Sequence, residues 1–120
     1  MTILRRTTYA FAALLLSTTA LAGSSIDNVK IELVGVGPTY EAFCGYPCMV
    51  IAFATTPAGS PCSMNAGWHY AIDLRTTEAR TIAAVILSAK ATGNLVQAAG
   101  KGTCVFSASR VEELSYVFMK

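Results

Sequence analysis

The spacing of apolar and polar residues changes character several times along the chain, and each change marks an element. Val29-Lys30-Ile31-Glu32-Leu33 alternates with the two-residue period of a half-buried strand, running on towards Val36 until Gly37-Pro38 stops it. Residues 38–47, with Tyr40, Phe43 and Tyr46, read as a loop. Cys48 to Ala54 is an unbroken apolar run, the pattern of a buried strand. A turn-rich stretch from Thr55 to Pro61 follows. Trp68 to Asp73 alternates again and is expected to place Trp68, Tyr70 and Ile72 on one face of a third strand.

The period then lengthens. Thr76 or Thr77 can cap a helix with Glu78 in its first turn, and Ile82, Val85, Ile86 and Ala89 form one helical stripe. Gly93-Asn94 ends it. Leu95 to Ala99 reads as a fourth strand, Gly100-Lys101-Gly102 as a turn before Thr103-Cys104-Val105-Phe106, and Val111 to Met119 as a last strand with Leu114, Tyr116 and Phe118 on one face. The expected fold is mainly β with one helix: a small five-stranded, OB-fold-like barrel with the helix between strands 3 and 4. A plain α+β sheet with one packed helix is the alternative.

The first 22 residues do not belong to that pattern. Arg5 and Arg6 precede an apolar run centred on Phe11 to Leu16, and Ala20-Leu21-Ala22 closes it with small residues where a signal peptidase reads. This predicts a secretory signal peptide over 1–22, cut before Gly23, and a single domain over 23–120. The run is shorter than the roughly 20 residues of a membrane-spanning helix. Export to the periplasm or outside the cell is therefore expected.

Composition then narrows the chemistry. Of nine basic residues two leave with the leader, so seven face seven acidic ones, and the mature chain offers no electrostatic footprint for nucleic acid. Hydrophobic residues make up 53% of the chain, which favours a dense core or surface hidden against other subunits. All four cysteines, Cys44, Cys48, Cys62 and Cys104, lie in the mature part and read as two disulfides, with three pairings open. Zinc would need paired Cys-x-x-Cys knuckles, which are absent, and Cys44 to Cys48 is one residue too wide for a thioredoxin-type redox pair.

No catalytic arrangement stands out. His69 is the single histidine, expected to point outward beside a buried Trp68, and Glu112 and Glu113, as neighbours on a strand, face opposite sides. Neither a metal site, a cofactor nor enzymatic activity is expected. Tyr40, Glu41 and Tyr46 in one loop are the candidate ligand-binding residues. Aromatic faces stack on sugar rings while a carboxylate accepts hydrogen bonds from hydroxyls.

Pro47-Cys48-Met49-Val50-Ile51, Pro61-Cys62-Ser63-Met64, Trp68 and the helix end Ala91-Thr92-Gly93-Asn94-Leu95-Val96 resemble the B subunits of subtilase cytotoxin and its typhoid-toxin relatives, over roughly residues 44–98. The resemblance implies an exported OB-fold subunit that assembles as a pentameric ring and binds sialylated glycans on host cells. It implies a Cys48–Cys62 disulfide, with Cys44 and Cys104 forming the other. It also makes Ser25 the counterpart of the serine in the family's sugar site. An A subunit is then a candidate partner. The chain departs from the family in lacking its nearby C-terminal cysteine pair and in being shorter after the fourth strand. The rival reading is a small periplasmic inhibitor or accessory protein that docks the 38–47 loop on a partner protein.

Overall fold

The computed structural model describes residues 23–64, 67–105 and 110–120; the expected leader, 1–22, lies outside them. Six strands form one mixed sheet: β1 (Ser25–Val29), β2 (Ile31–Val36), β3 (Cys48–Phe53), β4 (Tyr70–Asp73), β5 (Val96–Val105) and β6 (Val111–Met119). Two helices, α1 (Pro38–Cys44) and α2 (Thr77–Thr92), accompany it. The sheet order is β1-β5-β6-β4-β3-β2, antiparallel throughout except for the parallel β4/β6 pair. Only Lys30 separates β1 from β2, yet the two strands lie at opposite ends of that order. Within β1, the register against β5 shifts between Ile26 and Val29, where Asn28 takes a φ of 51°, a left-handed conformation that asparagine tolerates.

Where periodicity is strong, the elements follow it. The apolar run of β3 is buried at every position. Thr76 caps α2, its Oγ1 accepting from the Ala79 N–H at 3.1 Å, and Gly93 ends the helix with a φ of 71° that glycine adopts without penalty. Ala83, Ile86 and Ala89 bury one face of α2, with Ile82 packed alongside. They join Ile51, Tyr70, Ile72, Val96 and Leu114 in the main core. A second cluster, built on Cys48, Val50, Ala71 and Val111, packs Tyr40, Tyr46 and Trp68 against it.

Several expectations are corrected. Residues 38–44 are a helix, not loop: Pro38 suits the first turn, and the Gly45 N–H returns to the Glu41 carbonyl at 2.8 Å. Seven residues are too few to display a period. Trp68 does not share a face with Tyr70 and Ile72. It precedes β4 and is half-buried with Tyr40 in the second cluster. Gly100–Gly102 is not a turn but a bulge within β5, where Lys101 to Thr103 face Glu113 alone and Gly102 absorbs the irregularity at φ 82°.

The β6 face is corrected for a related reason. Ala99 pairs with Tyr116 but Gly100 pairs with Leu114, which leaves Ser115 as an extra residue. One extra residue reverses the faces that follow it. Leu114 is therefore buried, Val117 packs on the core, and Tyr116 and Phe118 are 45% and 60% exposed.

The disulfides also differ from the expected pairing. All four cysteines are bonded, as Cys44–Cys48 and Cys62–Cys104. α1 carries Cys44 back to the first residue of β3, so the nearer partner of Cys48 is Cys44. Cys62 lies in the β3–β4 connection, whose Met64 N–H donates to the Arg110 carbonyl at 2.9 Å just before β6, and this holds it beside β5.

Candidate functional site

A polar cleft of about 240 Å³ opens where β4 ends and α2 begins. Asp73, Thr76, Glu78, Lys101, Glu113 and Ser115 supply its polar lining, over a floor that includes Ile72, Ile82 and Leu114. Four elements bring these groups together. The last residue of β4 presents Asp73, the capped start of α2 presents Thr76 and Glu78, and the bulged β5/β6 pair presents Lys101, Glu113 and Ser115.

The carboxylates are held by specific donors. Arg75 grips Asp73 through Nε at 2.9 Å and Nη2 at 2.7 Å, with the Arg75 backbone N–H adding a bond at 3.0 Å. The hydrogen bonds from Arg75 hold the Asp73 carboxyl below its ordinary pKa, against partial burial, and Asp73 in turn raises that of Arg75. Lys101 donates to Glu113 Oε1 at 3.0 Å and Thr103 to Oε2 at 3.3 Å. The Arg75 guanidinium lies 4.4 Å from the centre of the Tyr46 ring, a cation–π contact that joins this tyrosine to the rim. Burial, then the charges of Glu113 and Asp73, push the Tyr46 hydroxyl pKa up.

The sequence-predicted ligand residues are only partly gathered here. Tyr46 stands beside the cleft with one ring face covered by Arg75. Tyr40 is committed to packing: its ring meets Trp68 edge-on at 5.4 Å and approaches Gly35 so closely that a Cβ there would lie 2.8 Å away. Glu41 is exposed on α1. Ser25 lies elsewhere, in β1 opposite Ala99 and bridged to Ala58. Asp73, Arg75, Lys101 and Glu113 were missed in the sequence because they come from separate segments. The spacing of Asp73 and Arg75, two residues apart, is their sole local signal.

A second polar group is sealed inside. Ser24 is 1% and Glu112 0% exposed, and Tyr70 is fully buried beside them. The Ser24 hydroxyl donates to Glu112 Oε1 at 2.6 Å, and the N–H groups of Ser24 and Gly102 donate to Oε2 at 3.1 and 3.0 Å. The single hydroxyl proton of Ser24 is thereby used, so the Tyr70 hydroxyl donates to Ser24 Oγ across 2.7 Å. Burial, reinforced by the charge of Glu112 and opposed by the bond to Ser24, pushes the Tyr70 hydroxyl up to about 12. A serine bonded to a carboxylate has the parts of a nucleophile and base, but at this depth no substrate reaches it.

His69 is another correction. It is half-buried, and its Nδ1 accepts the Phe53 N–H at 2.9 Å, so it satisfies the last N–H of β3 in the neutral form. Burial lowers its pKa, with Glu32 opposing. Among the described residues no three His, Cys, Asp or Glu side chains converge to hold a metal ion, and no helix is long and apolar enough to cross a membrane. The chain matches no protein-family model, no curated protein and no solved structure.

Proposed function

We propose that the chain is an exported, non-enzymatic binding subunit whose cleft at Asp73 and Glu113 takes a neutral glycan. The cleft carries the reading. Asp73, Glu78 and Glu113 accept hydrogen bonds, Thr76 and Ser115 offer hydroxyls, and Lys101 donates, within a concave space of about 240 Å³. Paired acceptors and donors over an apolar floor suit the alternating hydroxyl and C–H faces of a sugar. Three carboxylates oppose two cations there, Arg75 at the rim and Lys101 inside. That balance disfavours the carboxylate of a sialic acid, so an uncharged sugar is the better ligand than the sialylated one implied by the resemblance.

The sheet is read as a five-stranded OB-type barrel. Taken as one strand, β1 and β2 link the two ends of the sheet order, and α2 then lies between strands 3 and 4. Two disulfides without a free cysteine among the described residues favour an oxidising compartment, and a leader over 1–22 would deliver the chain there. Tyr116, Phe118, Met119 and Leu95, all exposed where β5 and β6 meet, favour an oligomer that covers them.

The test is a glycan array probed with the exported protein and with Asp73→Asn and Glu113→Gln. Neutral glycans should be retained by the unaltered chain and bound at least about tenfold more weakly by both variants, the worth of one charge-assisted bond. Exposed ion pairs contribute little to stability, so the variants should fold. Binding indifferent to both substitutions, or confined to sialylated glycans, would overturn the assignment. Light scattering tests the oligomer separately; a monomer would refute it.

A further inference from the structure

Glu112 is a fully buried carboxylate for which no lysine, arginine or histidine forms an ion pair among the described residues. Burying an unpaired charge is costly, and hydrogen bonds from Ser24 and Gly102 offset only part of that cost. The surrounding charged groups do not pair with it. From β5, Lys101 pairs with Glu113, which faces the opposite side of β6. Arg110, just before β6, makes no ion pair among the described residues. From β4, Tyr70 stays neutral, and Tyr116 of β6 is a phenol.

The start of the described chain supplies what is missing. A Cβ built on Gly23 would stand 2.7 Å from Glu112 Oε2 and 1.9 Å from the Gly100 carbonyl oxygen, so only glycine fits there. The Gly23 nitrogen is bonded to the same Cα, which places it within about 5 Å of Oε2. Gly23 is also the residue that follows Ala20-Leu21-Ala22. We propose that removal of residues 1–22 creates the missing partner: the new α-ammonium of the half-buried Gly23 forms an ion pair with the sealed carboxylate of Glu112 and locks the mature fold.

The inference rests on the export reading above. Hydrolysis of the Ala22–Gly23 peptide bond consumes one water, leaves a carboxylate on Ala22 and frees an amine on Gly23 that takes up a proton at neutral pH. An opposite charge at that range stabilises the ammonium, so its folded pKa rises above the usual value of about 8. Stability from a raised pKa is complete below about pH 8 and is lost as pH climbs through the folded value. Cleavage thus becomes a maturation switch, in which the precursor keeps a neutral amide where the mature chain carries a charge.

The full-length chain is expressed and exported, and the recovered protein is weighed by mass spectrometry. A second chain carries one serine inserted between Ala22 and Gly23, which moves the amine about 3.5 Å along the backbone. Thermal midpoints of both are followed from pH 7 to pH 10. The mature protein should begin at Gly23 and melt at least about 5 °C above the insertion chain at pH 7, the gap closing towards pH 10. Glu112→Gln should abolish the difference between them; if that variant fails to fold, the insertion chain alone decides. A mature chain starting at Gly23 whose pH profile matches the insertion chain overturns the ion pair and leaves export standing. A recovered chain that retains residues 1–22, or begins elsewhere, overturns the leader reading and the pairing together.

Discussion

Removing the two disulfides one at a time should destabilise the protein unequally, and the inequality follows from the pairing. Cys62–Cys104 spans a sequence separation of 42 and Cys44–Cys48 one of 4. In the chain-entropy picture those loops restrict the unfolded state by about 4 and about 2 kcal/mol. Each pair joins one buried cysteine, Cys62 at 7% or Cys48 at 2% exposure, to one half-buried one. Truncation to alanine therefore removes similar packing from both, and the difference reports the loop. The comparison is Cys62→Ala/Cys104→Ala against Cys44→Ala/Cys48→Ala, each melted beside the parent. The first should lose about 2 kcal/mol more, or roughly 8–16 °C in a domain of this size. Equal losses, or a larger loss from the short loop, would refute the entropic argument. A Cys48–Cys62 peptide in a non-reducing digest would refute the pairing itself.

Two further outcomes probe the interior. Gly100→Ala would set a methyl 1.7 Å from Glu112 Oε2 and 2.2 Å from its Cδ, forcing the carboxylate off its donors; a loss of about 3 kcal/mol or more in urea unfolding is expected, and a loss below 1 would show that the cradle yields freely. His69 has a lowered pKa, so its unfolded form takes the proton first. Stability should fall as pH drops below about 6.5 and level off beneath the folded value; His69→Gln should flatten that slope, while an NMR titration midpoint above 6.5 for this sole histidine would contradict the Phe53 bond.

Much of the architecture was legible because it is encoded between near neighbours. The apolar run of β3, the stripe of α2, its Thr76 cap and its Gly93 stop each declare themselves within one or two turns or pleats. The oxidised state of the cysteines followed from their number and setting. The opposed faces of Glu112 and Glu113 followed from the two-residue period, since one is sealed inside and the other reaches Lys101 and Thr103.

Tertiary structure decided whatever depended on which strand lies beside which. The extra Ser115 is visible only against β5, and it alone turns Tyr116 and Phe118 out to solvent. The partner of Cys62 is chosen by a connection that folds back over 42 residues, and the donors of Glu112 include Ser24, 88 positions away. Asp73, Lys101 and Glu113 meet in one cleft only once the helix after β4 returns the chain to the far side of β6. Periodicity records which face of an element is apolar. The identity of the group that a buried charge or a cysteine meets is set by the closing of long loops, whose energy is shared across the whole core and leaves no local mark in the residues they join.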